Sequence, residues 1–436
     1  MPTLPKRIST ALINALAAGV VPRIGLDHIA VARETEMKAI RQDLENIGEG
    51  GAAFRFIVGR YGAGKSFLLQ LIRNLAMEQG FVVADADLSS ELRLAGSKKQ
   101  AVATYRELMK NMATRTSPQG GAIALILEKW TSSILSQVAQ TTGKRPGDED
   151  FNQQVELKIR EVVDHLEGLV HGFDFANVII TYWRGYREDN NEKKEAALRW
   201  LRGEFNTKTE VKQALDVRVM IDDDTWYDYI KLWAKFAADI GYKGLILFLD
   251  EAVHLYKISH RRSRQSNYDR LLAMFNDTMQ GKADSLGVVV CGTPKFIEDQ
   301  RRGLQSDEAW RTRLAKSRFL TEDLQDNTAP VIKLNPLTPT ELFQLLQRLA
   351  QVHATHYRYK MQLQDEQIQD FQDIASNRLG AEKMTTPREM IRDFLTILNI
   401  LHQNPQVSFE DLVHRQGKPS ASMNGKSRGE FAEFTL

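Results

Sequence analysis

The chain has 436 residues, 42% of them hydrophobic, with one cysteine and a net charge of +2. That length allows two or three compact domains, and a lone cysteine excludes a disulfide framework and fits a reducing compartment. The near-zero charge excludes binding to nucleic acid through overall electrostatics, and no run approaches the roughly 18 apolar residues of a membrane span.

Near its start the chain carries two basic residues, Lys6 and Arg7, and then a weakly apolar stretch interrupted by Asn14. It reads as an ordinary helix rather than a signal peptide, so the cytoplasm is the expected location. The first strand-like run is Phe54 to Val58. Directly after it, Gly59-Arg60-Tyr61-Gly62-Ala63-Gly64-Lys65-Ser66 fits G-x-x-x-x-G-K-[ST] in full. The chemistry needs these residue types: glycines let the loop curl until its amides face a phosphate, and a helix N-terminus adds its dipole. Lys65 is expected to reach the β- and γ-phosphates of ATP, and the Ser66 hydroxyl to ligate Mg2+. The helix predicted from Phe67 to Glu78 has Leu68, Leu71, Ile72 and Leu75 on one face and Gly80 just past its end.

A second apolar run, Phe81 to Ala84, is followed by a long helical stretch, about 92–239. Its clearest pieces are Tyr105 to Ala113, Ile123 to Gln140, Phe151 to Leu169 and Trp226 to Ile240. It is far longer than an ordinary crossover, so we read it as a helical insertion. The third run, Leu245 to Leu249, ends in Asp250-Glu251. In P-loop ATPases the first acid serves the magnesium shell and an adjacent glutamate polarises the attacking water. The basic run Tyr256 to Arg264 follows; it is either a solvated face or a contact for DNA or RNA phosphates.

The fourth run, Gly287 to Cys291, exits into Gly292-Thr293-Pro294. Thr293 is either a polar sensor near the γ-phosphate or a turn residue before proline. Cys291 reads as a small buried residue. Arg311, Arg313 and Arg318 lie between this run and the fifth, Val331 to Leu334; any of them, or none, could act as an arginine finger. Short apolar runs separated by helices predict a five-stranded parallel α/β sheet of the P-loop NTPase type. Beyond it, Thr338-Pro339-Thr340-Glu341 and Thr386-Pro387-Arg388-Glu389 each read as a capping box with proline in the first helical position. Arg388 sits in a first turn, where the dipole disfavours a cation. That placement suits either a surface arginine or a partner anion such as a phosphate. No metal-ligand spacing of histidines or cysteines points to zinc.

Gly59 to Ser66, Leu245 to Glu251, Thr293 and Arg388, in that order, resemble the AAA+ ATPases around the origin-recognition branch. Val21-Pro22, Arg33-Glu34-Thr35-Glu36, Phe54 to Gly59, Gly62 to Leu68, Thr386 to Glu389 and the terminal Phe434-Thr435-Leu436 are more closely similar to the BrxD-type ATP-binding proteins of BREX bacteriophage-exclusion systems. The resemblance implies an N-terminal arm (1–30) contacting nucleotide, a P-loop domain (31–335), a helical lid (336–404) and a flexible tail (405–436). It further implies adenine contacts from Val21 and Ile24, a sensor role for Arg388, and Arg313 or Arg318 acting in trans between copies of the chain, with Arg313 favoured. The phosphate loop from Gly59 through Tyr61, Gly62, Ala63 and Gly64 to Lys65, Ser66 and Phe67 would hold the nucleotide. Glu251 with Lys65, Arg313, Arg388 and Thr293 would turn it over, and Ser66 and Asp250 would hold Mg2+. The implied function is a Mg2+-dependent ATPase of the AAA+ type in bacterial anti-phage defence, coupling ATP binding and hydrolysis to assembly with other BREX proteins or to DNA engagement. The alternative is a slow nucleotide switch or scaffold in the same complex.

Overall fold

The structure is a computed structural model that describes residues 4–146, 148, 150–315, 328–361, 363–377 and 386–415. The expectations for Arg318, for the end of the tail and for Phe434-Thr435-Leu436 therefore lie outside the described residues. The chain divides into two compact units: Ala32–Pro336, and the described residues of Met1–Val31 with Leu337–Leu436.

The first unit is α/β. All five apolar runs form strands: β1 (Ala52–Gly59), β2 (Val82–Asp87), β3 (Leu245–Asp250), β4 (Leu286–Gly292) and β5 (Val331–Leu334). They pair in the order β2-β3-β4-β1-β5, every pair parallel. Because side chains alternate along a strand, each run supplies both faces. Phe54, Phe56 and Val58 of β1 join one core with Leu247, Leu249, Val288 and Val290. Ala53 and Ile57 join the other with Ile246, Phe248, Val289 and Cys291. That second face is covered by the helices Glu34–Gly48 and Lys65–Glu78.

The first face carries the helices between β2 and β3, from Gln100–Lys110 to Trp226–Asp239. They share one continuous core with the sheet rather than forming a core of their own. Burial of Trp183, Trp200, Trp226 and Trp233 explains why a stretch this long stays ordered: each large aromatic removes about 150–250 Å² of surface from water. Trp310, also fully buried, stacks edge-on against Phe56 and Phe275 and donates Nε1–H to the Tyr268 carbonyl at 3.2 Å.

The second unit is helical. Lys6–Ala17 packs with Pro339–Tyr357 and Pro387–Gln403, and Ser9 Oγ lies 2.8 Å from His356 Nδ1. The described residues of the N-terminal arm, 4–30, thus belong to the same compact unit as the C-terminal helices. Thr338 and Thr386 each accept the amide three residues on, and Glu341 and Glu389 return the bond, with proline in the first turn of both helices. Among the described residues no helix is long and apolar enough to cross a membrane.

Candidate functional site

Parallel strands bring their C-terminal ends to one edge, the edge where α/β sheets bind ligands. Here that edge carries the phosphate loop after β1, Asp250-Glu251 after β3 and Thr293 after β4. The loop's glycines have separate reasons to be glycine. Gly62 and Gly64 take φ of +82° and +87°, which a Cβ disfavours. At Gly59 a Cβ would stand 3.0 Å from the Ala63 Cβ and 3.1 Å from that of Leu334, so the loop closes against the end of β5.

The helix that follows starts at Lys65, two residues earlier than the apolar pattern suggests. Its N-cap, Gly64, offers no side-chain acceptor, and its first turn holds no acid. The first-turn amides and the positive end of the dipole therefore face no competing carboxylate of their own helix, which is the chemistry an anion requires. Lys65 arches over the loop and donates Nζ–H to the carbonyls of Gly59 and Arg60, each at 3.1 Å. Tyr61 is exposed, and Phe67 is half-buried.

The distance that organises the site is 2.9 Å. Across that gap the Ser66 hydroxyl donates to Asp250 Oδ2, joining residues 184 apart in sequence. Asp250 is buried, and its other oxygen accepts the Glu251 amide at 2.7 Å. Glu251 itself is exposed and holds φ of +55°, a left-handed conformation costing roughly 1–3 kcal/mol for a residue with a Cβ. The strand is thus turned sharply after Asp250, the Glu251 side chain remains in solvent, and its carbonyl accepts the His254 amide. Thr293 is half-buried, and as N-cap of Pro294–Glu298 it makes no side-chain capping bond. Burial, and then the negative charge of Asp250, push the Cys291 thiol well above its ordinary value, so it is no nucleophile.

Two groups at this edge escaped the sequence reading. β2 runs on through Asp85 and Asp87, past the apolar run, and Asp87 lies in register with Asp250. Partial burial, then the like charges of Asp250, Asp85 and Glu251, hold the Asp87 carboxyl above the ordinary carboxylate value. The other is Arg33, whose guanidinium is buried behind the loop and donates to the Ala63 carbonyl at 3.0 Å. Its only sequence signal is the Arg33-Glu34-Thr35-Glu36 block.

The remaining expected residues lie elsewhere. Arg313 donates Nε–H to Asn276 Oδ1 at 2.9 Å and Nη1–H to the Ala309 carbonyl at 3.0 Å, both within its own unit. Val21 and Ile24 are half-buried, and Arg388 is exposed, in the helical unit. The stem of Arg388 passes within 3.8 Å of where a Cβ on Gly19 would sit. In the basic run, Arg264 is buried and caps the Ile258 carbonyl at 2.7 Å, while Lys257, Arg261 and Arg262 are exposed.

Against this geometry, the family described as BREX system ATP-binding protein BrxC/D matches residues 4–417. The chain belongs to the BrxC/BrxD family. A comparison with curated proteins finds no match. The match spans both units and gives this BrxC/BrxD chain an ATP-binding role in BREX defence; it does not separate BrxC from BrxD. Gly59, Gly62, Gly64, Lys65, Ser66 and Asp250 fit Mg-ATP by the loop curvature, the uncapped helix and the Ser66–Asp250 contact already described. Among the described residues no group of three or more His, Cys, Asp or Glu could hold a metal by itself.

Proposed function

We propose that this BrxC/BrxD protein is a Mg2+-dependent ATPase of the AAA+ type, nearer BrxD than BrxC, and that turnover is coupled to partner BREX proteins and to DNA. The observation that carries the reading is the Ser66–Asp250 hydrogen bond, which joins the phosphate loop to the acidic strand end. A metal ion bound there supplies neutralisation of phosphate charge. The loop amides and Lys65 grip the phosphates, and Ser66 and Asp250 set the metal's position. Glu251, exposed at the same edge, orients and deprotonates the attacking water. Thr293, at the exit of the strand between β1 and β3, senses the terminal phosphate. For Val21, Ile24 and Arg388 the proposal assigns adenine contacts and a sensor role by resemblance to AAA+ relatives.

A finger from a second copy completes such sites in AAA+ proteins. Arg313 spends two donors on its own chain, so a trans role requires it to exchange Asn276 and Ala309 for phosphate. Phosphate release is to be measured against protein concentration, with and without duplex DNA, in the parent chain and in Lys65→Ala. The parent is expected to show specific activity rising with concentration. Lys65→Ala is expected to weaken nucleotide binding about 10- to 100-fold by loss of a charged hydrogen-bond donor. Equal binding by the variant would sink the assignment of the loop.

A further inference from the structure

Arg33 is a costly residue to place where it lies. Its side chain is 9% exposed, its one acidic partner among the described residues is Glu36 at 3.3 Å, and a buried cation loses much of its hydration. The other partners are backbone carbonyls. Nη2 donates to Ala63 at 3.0 Å and to Asn335 at 3.3 Å; Nη1 donates to Ala32 at 3.3 Å. Were the task only to satisfy carbonyls, a neutral amide would serve at less cost in desolvation.

The choice of carbonyls is informative. Ala63 lies inside the phosphate loop. Ala32 is the first residue of the sheet unit, and Asn335 is the last but one. The chain passes between the two units at 31/32 and again at 336/337. One guanidinium therefore fastens both crossings to the loop. At the first crossing, Ala32 takes φ of +53°, a conformation unfavourable to any residue with a Cβ, and the Arg33 bond to its carbonyl helps hold it there. At the second, Leu334 pairs with Gly59 at the base of the loop. The guanidinium also lies 3.7 Å from where a Cβ on Gly64 would stand, so it backs the loop at a second point.

We infer that Arg33 is a positioning residue of the nucleotide site: it fixes the loop at Ala63 and transmits the loop's order to both chain crossings. Nucleotide bound in the loop accordingly stiffens the backbone around Ala32 and Asn335, and does so through this one side chain. The inference rests on the ATP-binding reading of the loop. It adds a residue whose planar, forked donors a lysine cannot reproduce.

The test is amide hydrogen exchange on the full chain, with and without magnesium and a non-hydrolysable ATP analogue, in the parent, Arg33→Lys and Arg33→Ala. In the parent, the analogue is expected to slow exchange in peptides covering 59–70 and in those covering 28–34 and 330–337. Arg33→Ala should raise the analogue's Kd about tenfold. At saturation it should keep the slowing at 59–70 and lose it at both crossings. Arg33→Lys should restore part of the affinity and part of the protection. A parent chain whose loop is protected while neither crossing responds overturns the inference without any variant. Crossing protection in Arg33→Ala or Arg33→Lys equal to that of the parent at saturation overturns it too. A parent whose loop shows no response at all overturns instead the nucleotide reading on which the inference stands.

Discussion

The two units treat polar groups in opposite ways. In the sheet unit, Asp87, Asp250 and Glu251 share one edge, burial and then the like charges beside it push the Asp87 carboxyl up, and Glu251 sits in a left-handed conformation. In the helical unit the two long C-terminal helices are capped by residues three positions apart. Both capping boxes are closed, and accepting the Thr386 amide and hydroxyl holds Glu389 below the ordinary carboxylate value. Strain and like charge crowded at one edge mark chemistry, because stability alone would select against both. Reciprocal caps fix where their helices begin, and the Thr386 cap thereby sets the position of Arg388.

The largest expected effect tests the costly side. Glu251→Gln keeps the size of the side chain and removes its basicity. Steady-state ATP turnover should fall about 10²- to 10⁴-fold while nucleotide affinity changes little. Glu251→Gly removes the same base but tolerates the left-handed turn. Its thermal midpoint should match or exceed that of Glu251→Gln, since glycine pays no Cβ penalty there. Retained turnover in Glu251→Gln would end the base assignment, and a glycine variant markedly less stable than the glutamine one would end the strain account.

A smaller effect tests the scaffold. Thr386→Ala removes the acceptor for the Glu389 amide and opens the capping box. Chemical denaturation should show about 1 kcal/mol of lost stability, with Thr338→Ala costing a similar amount. Affinity of the loop for Mg-nucleotide serves as the contrast. If Thr386→Ala weakens it as much as Lys65→Ala does, the division of labour between the units fails.

How legible the two units were follows from what kind of force places each residue. The phosphate loop reads directly because backbone curvature dictates glycine at Gly62 and Gly64, whatever the rest of the fold. The five strands read because a sheet buried on both faces demands unbroken apolar runs. The caps at Thr338 and Thr386 read because their bonds span three residues. Asp85 and Asp87 were hidden because acids end an apolar run, although β2 continues through them. Arg33 was hidden because its partners at Ala63 and Asn335 are 30 and 302 residues away. Nothing in the residue type of Glu251 announces a positive φ. Arg313's bond to Asn276 likewise needs tertiary contact to be seen, which is why sequence left three arginines open. The N-terminal helix was read as an arm because its partners lie more than 300 residues along the chain, as Ser9 and His356 illustrate.

The smallest effect expected is a pH dependence, and it belongs to the helical unit. His353 is fully buried, with Nδ1 2.8 Å from the Tyr359 hydroxyl and Nε2 3.1 Å from Asn399 Oδ1. Around it pack Tyr357, Tyr359 and His402, with His356 beyond Tyr357. Burial first, against a smaller opposing effect of Asn399 and then the nearby charges of His402 and His356, holds the imidazole below its ordinary value of 6.5. The folded state therefore binds fewer protons here than the unfolded chain does. Stability rises with pH wherever the unfolded state holds more protons, so this contribution is complete above about 6.5 and is lost as pH falls below that value. Between pH 7.5 and 5.5 the parent's thermal midpoint should drop about 1–2 °C more than that of His353→Gln, which cannot take up the proton. An identical pH profile in the two proteins would show that the histidine's neutrality is of no consequence to the fold. The contrast between a strained sheet edge and a capped helical unit would then rest on the caps alone.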